Sequence, residues 1–516
     1  MKRERREFLA DVGKGMLVTT IGTSVAYELG IERLQAREGE DRLTFGSIEP
    51  LVDMMANTPV EKLQLAVVEK HRSGVGLRTL TAAAALANAR AFGGQDYTGF
   101  HTFMALGPAL QMASELPSDQ SLLPLLKVFY RNTDRIQTTG ANEQEVLRRI
   151  QAAQNSGQQP DGEMLRQATR DANFEHAEEL FAIMSEAPPN EAYNHLQFAV
   201  QDEVDVHRTV LAWRAWMMLD VAGEQHAHTL LRQSVRYCVD SEQNRIKRNN
   251  AASGIRELLP KLFDEYGLES RTLGNGQLSD QSLSDLTQVI FSEDRARAAT
   301  AVAIALADGV SPEAIGEALI LAANRLLLHD PGRTASQASK DKPAGSVHGA
   351  SVGVHAMDAA NAWRNIARVC NHRNQVASLI VGAYHTAGQT KSTSANPLGF
   401  VAAADELRTV EAPRLLDELD SSIRNGDQVR ACGCVFELNR KGTSPEAIFA
   451  AVIPFAVSED GALHAEKFYR TVREEFVGTR SSLRWNHLIA LARVSASEFG
   501  NPAPGQNEAR ELLGLS

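Results

Sequence analysis

Fourteen histidines are spread unevenly along the 516 residues, and they carry most of the chemistry this sequence can offer. Imidazole titrates near neutrality and is the commonest protein ligand for transition-metal ions. His207, His226 and His228 fall in one stretch, His348, His355, His372 and His385 in another, and His464 and His487 in the last. The most informative run is Gly345-Ser346-Val347-His348-Gly349-Ala350-Ser351-Val352-Gly353-Val354-His355-Ala356-Met357-Asp358. On a helix, His348 and His355 would lie two turns apart on one face. Asp358, three positions beyond His355, would reach its ring or share an ion with it. His348, His355 and Asp358 are therefore the expected catalytic set. The two histidines would act as ligands or acid-base groups, and Asp358 would orient a ring. The small residues between them leave room for a ligand or for close helix contact. Glu203 and His207 are i, i+4 partners if helical, which suits an ion pair as well as a ligand pair. His226 and His228 would point to opposite sides of a helix and chelate poorly there.

These side chains need helices to place them. Alanine is abundant, alternating β-branched runs are scarce, and apolar residues recur at i, i+3, i+4, so the chain reads as all-α. A turn signal recurs. Gly309-Val310-Ser311-Pro312-Glu313-Ala314-Ile315 returns as Gly442-Thr443-Ser444-Pro445-Glu446-Ala447-Ile448. Glycine ends one helix, serine caps the next, proline fills its first turn and glutamate faces its positive end. Looser copies lie at Gly74 to Leu80 and at Ala187 to Tyr193. After each comes an apolar helix, a loop and a histidine opening a longer helix: His101, His207, His348 and His464. The expectation is about four related helical-hairpin units in one continuous or bilobed body. The boundaries would be a leader at 1–26, an N-terminal half at 27–270 and a C-terminal half at 271–516. Units packed around a pseudo-axis would bring equivalent histidines together, so His101, His207 and His464 are expected to bind a cofactor or metal beside the catalytic set. The opposing expectation is a non-catalytic helical scaffold or binding protein whose histidines pack at helix starts.

Composition narrows the classes. The 53 basic and 64 acidic side chains give a net charge of −11, which argues against a nucleic-acid partner. Four cysteines exclude a disulfide-dense scaffold. After the first thirty residues no run of about 20 apolar residues appears, so an integral membrane body is not expected. There is no Walker loop, no Rossmann fingerprint, no G-x-S-x-G elbow, no H-E-x-x-H and no C-x-x-C-H. Cys432-Gly433-Cys434 and the turn after it loosely resemble the alkylhydroperoxidase D family. The plainer reading is two small buried thiols.

Two further resemblances set expectations for address and activity. Arg5-Arg6-Glu7-Phe8-Leu9, the dilute apolar stretch Gly15 to Ala26 and the small-x-Ala run Ser24-Val25-Ala26 resemble a twin-arginine export signal. That resemblance implies the translocation machinery as a partner and a periplasmic or extracytoplasmic destination. The segment would be cleaved after Ala26 or kept as an anchor. It also implies a chain folded before export, often with its cofactor inserted. Phe100-His101-Thr102-Phe103-Met104-Ala105-Leu106, Asn194-His195-Leu196 and Val347-His348 through Asp358 look similar to the questin oxidase family. Those helical enzymes oxygenate aromatic polyketides with a reduced nicotinamide. The resemblance implies an oxidoreductase that uses NADPH on a small molecule in a histidine-lined pocket; the recurring histidines and the export signal make a metal ion the other expected cofactor.

Overall fold

The computed structural model describes residues 42–150, 159–349 and 351–515. The expected leader at 1–26 lies outside the described residues. Among them are 23 α-helices, a few short 3₁₀ turns and isolated bridges, and no strand. None of these helices is long and apolar enough to cross a membrane.

Eight helices position the histidines: α1 (Leu77–Phe92), α2 (Tyr97–Glu115), α3 (Pro189–Val200), α4 (Val206–Ala222), α5 (Pro312–Leu328), α6 (Val352–Val369), α7 (Pro445–Ser458) and α8 (Ala465–Gly478). Each odd-numbered helix packs on the even-numbered one that follows it. The even helices then pack in a closed ring, with α2 against α4, α4 against α6, α6 against α8 and α8 back against α2. Two neighbours in that ring, α2 and α4, come from before the expected 270/271 boundary, and the other two, α6 and α8, from after it.

Local sequence explains these starts and stops. Gly309 and Gly442 both adopt positive φ, as a helix stop requires. Ser311 caps α5 by accepting from the Ala314 N–H, and Pro312 and Pro445 occupy first-turn positions. The alanine-rich α1 is buried from Leu80 to Phe92, and α5 from Ala314 to Leu328 apart from Arg325. Small side chains let neighbouring backbones approach closely. One such approach fixes α6 on α5. A Cβ at Gly353 would lie 2.4 Å from the Leu327 Cα, so only glycine fits there.

The expected two-turn spacing of His348 and His355 on one helix is not realised. Gly349 takes φ +67°, which breaks the helix. Ser351 then caps α6 by accepting from the Val354 N–H. His355 falls in the first turn of α6, and His348 stays in the preceding loop.

Candidate metal centre

Each helix of the ring brings one histidine to a common point close to its own N-terminal end. His101 is the fifth residue of α2, whose cap Asp96 accepts from the Gly99 N–H. His207 is the second residue of α4, where the Asp205 carboxylate caps the His207 and Arg208 N–H groups. His355 is the fourth residue of α6, and His464 is the cap residue of α8. Ring centroids follow one another around the circle: 4.8 Å from His101 to His207, 5.5 Å to His355, 5.0 Å to His464 and 5.1 Å back to His101. One ring nitrogen from each of His101, His207 and His355 lies within 4.8 Å of the other two. The Nε2 atoms of His355 and His464 are 3.1 Å apart. An ion bound tetrahedrally through nitrogen at about 2.0–2.1 Å sets its ligand atoms roughly 3.4 Å apart.

The outer nitrogens are spoken for. His101 Nδ1 donates to the Tyr97 carbonyl at 2.7 Å, and His464 Nδ1 donates to the Ala462 carbonyl at 2.9 Å. A backbone hydrogen bond at Ser351 holds His355 in the same manner. His207 Nδ1 lies 3.8 Å from the Asp205 carboxylate, which also accepts from the Tyr237 hydroxyl. A carbonyl oxygen only accepts, so each Nδ1 facing one carries the proton, and a neutral ring then presents a lone pair at Nε2. The Nε2 atoms of His101 and His207 are buried without a hydrogen-bond partner. Burial holds all four rings neutral: His207 is pushed down to about 3 and the others well below the usual imidazole value, with the nearby Lys467 ammonium adding to the effect. Neutral imidazole with its second nitrogen anchored is the form that binds a metal.

The backbone beneath His464 is strained. Ala462 and Leu463 adopt φ of +50° and +62° in the turn before α8. Non-glycine residues in this region cost roughly 1–3 kcal/mol each, and such strain collects at functional sites.

Of the expected site residues, the structure thus brings together His101, His207, His355 and His464. His348 lies apart. Its Nδ1 is 2.8 Å from the Ser497 hydroxyl, which also accepts from the backbone N–H groups of Val347 and His348. Burial and the charges of Arg333 and Lys342 push its ring down to about 4. Asp358 is buried on α6 and accepts from the Thr471 hydroxyl at 3.1 Å, so it is not the orienter of a ligand ring. Burial raises its basicity, and the Lys467 ammonium on α8 opposes that. Glu203 precedes α4 and accepts from the Ser253 N–H and Arg256, which leaves Asp205 as the carboxylate beside His207. His226 and His228 pack against Phe45 and Phe181, outside the ring of four. Cys432 and Cys434 are buried with both thiols pushed up to about 12, as inert thiols would be.

Sequence reasoning missed Lys467 and Arg214. Both sit on ring helices beyond a histidine, Lys467 three positions after His464 and Arg214 seven after His207. Their helical spacing from those histidines was the available signal.

Comparison with protein-family models, with curated proteins and with solved structures finds no match to this chain. The site itself defines a class: a buried four-imidazole centre at the convergent N-terminal ends of four helices.

Proposed function

We propose that the protein is a metal-dependent enzyme, most simply an oxidoreductase, that holds one transition-metal ion among His101, His207, His355 and His464. One observation carries this reading. The Nε2 atoms of His355 and His464 face each other at 3.1 Å while their other nitrogens are anchored to backbone. With both Nδ1 atoms protonated the two Nε2 lone pairs face each other, and a cation between them satisfies both rings; a proton on one Nε2 would make the contact a plain hydrogen bond, and the metal content measured below distinguishes the two.

An imidazole-only donor set suits iron, nickel, copper or zinc. The resemblance to questin oxidases favours a redox-active member, iron or copper, acting on a small organic molecule. A reduced nicotinamide is the less favoured cofactor. The surface cavity of about 460 Å³ that contains His195 is lined by Asp161, Glu163 and Glu191 with no lysine or arginine, the wrong charge for a pyrophosphate. The four histidine-led hairpins support descent from a repeated unit. The twin-arginine resemblance supports export of the folded, metal-loaded chain.

Elemental analysis of the purified full chain tests the centre. About one equivalent of iron or copper per chain is expected, falling at least tenfold in His355→Ala and in His464→Ala. His348→Ala is expected to keep its metal. A wild-type chain that takes up no transition metal on reconstitution removes the reading.

A further inference from the structure

We propose that Arg214 and Lys467 form an anion site beside the four-histidine centre, and that the small molecule bound there is an organic acid held through its carboxylate. The proposal deepens the metal reading and rests on it for its chemical purpose.

Arg214 is only 3% exposed and Lys467 only 2%. Burying a cation is costly unless a counter-charge meets it. Among the described residues neither side chain has an ion-pair partner within 4.0 Å. The one hydrogen bond of Arg214 goes to the thioether of Met217, a weak acceptor, and its Nε has none. Both charges belong to the interior of the ring. Lys467 lies one turn beyond His464, and its charge is felt by all four histidines. Arg214 lies two turns beyond His207, in the fields of Asp358 and Glu474.

Of the carboxylates near them only Asp358 is free of another cation, because Thr471 donates to it as a neutral hydroxyl, and one carboxylate faces two cations. Glu474 pairs with Arg470 at 2.5 Å and accepts from Asn361 and Asn365. Glu466 pairs with Lys127 at 2.6 Å. Positive charge is therefore in excess. The N-terminal ends of four helices add to it, and a metal dication would add more. An anion bridging guanidinium and ammonium relieves that excess, and a planar carboxylate matches the arginine fork. Gly107 and Met217 are half-buried on the α2–α4 side, where a Cβ at Gly107 would make only ordinary contact with the Met217 methyl at 3.8 Å.

Isothermal titration of the full chain with benzoate, and with benzamide as its uncharged counterpart, tests this, with metal content determined on the same samples. Benzoate is expected to bind at least tenfold more tightly than benzamide. Arg214→Gln should lose at least tenfold of that affinity with its metal content unchanged, and Arg214→Lys should recover part of it. Arg214→Met, similar in bulk without the charge, should melt above the wild type in the absence of benzoate. A scaffolding arginine would give the opposite shift. Benzoate that does not bind, that binds no better than benzamide, or that binds Arg214→Gln as well as wild type overturns the proposal. A metal-loaded chain indifferent to benzoate removes the anion site alone. A metal-free chain that still selects benzoate through Arg214 removes only the metal reading.

Discussion

The four imidazoles of the ring are held neutral by burial, and the same burial acts on histidines elsewhere in the body. His207 and His487 are pushed down to about 3, and His228, His348 and His385 to about 4. In the unfolded chain each takes up a proton near pH 6.5. Between these values the unfolded state binds more protons than the folded one, so stability rises with pH over that window and falls as pH drops through it. Glu498 works the other way. Burial holds its carboxyl up at about 8, so its contribution is lost as pH rises toward that value. Asp240 and Asp358 are raised by burial in the same way, but three carboxyls against nine histidines of lowered basicity leave the net slope positive below pH 6.5. The melting temperature of the metal-free chain should therefore fall steadily from about pH 6.5 to pH 4 and change little, or decline gently, from pH 6.5 to 8. A melting temperature flat between pH 4 and 6.5 contradicts the depressed ring basicities on which ion binding depends.

Helix α6 shows how placement at the element scale decides which histidine is a ligand. Gly353 lets α6 seat on α5, and His355 is two residues further on. In Gly353→Ala the new Cβ would meet the Leu327 Cα at 2.4 Å, and backbone cannot yield as a flexible side chain does. Overpacking of this kind typically costs about 1–3 kcal/mol. The expected result is a lowered melting temperature together with weaker metal binding, read by competition with a chromophoric chelator. Normal metal affinity in this variant would mean that α6 reseats without moving His355. The same helix marks the limit of what sequence discloses. All-α character and the positions of His101, His207 and His464 were legible, because glycine stops, serine caps and first-turn prolines are local signals. The fourth ligand was misplaced onto His348. Whether a helix begins at Val347 or at Val352 turns on the left-handed Gly349 and the Ser351 cap, and a run of small residues permits either. Asp358 was singled out, but its partner was not, because Thr471 and Lys467 are more than a hundred residues away in sequence. The helical spacing of Lys467 and Arg214 from His464 and His207 was on view but carried little weight, for a simpler reason. A lysine or arginine on a helix usually faces water, and only the packed ring reveals that these two do not.

At the scale of the whole molecule, the four proposed ligands come from positions spread between His101 and His464, so no single segment could bind an ion as the ring would. An ion that binds the folded state alone stabilises it by about 2.7 kcal/mol when free metal is a hundred times its dissociation constant. That energy must appear in the unfolding of all four ring helices together, because each contributes one bond. Chelation should lower the main calorimetric transition, and restoring the ion should raise it again. His355→Ala should melt at one temperature with or without metal. The same logic joins the centre to the N-terminal arginines. A site assembled from distant parts of the chain exists only after folding, and the twin-arginine route accepts folded cargo. Replacing Arg5 and Arg6 together by lysine should then leave the chain in the cytoplasm with its metal bound and its melting transition unchanged. Retained chain that is metal-free and melts at the chelated temperature would place loading after export, and the N-terminal segment would then have no link to assembly of the centre.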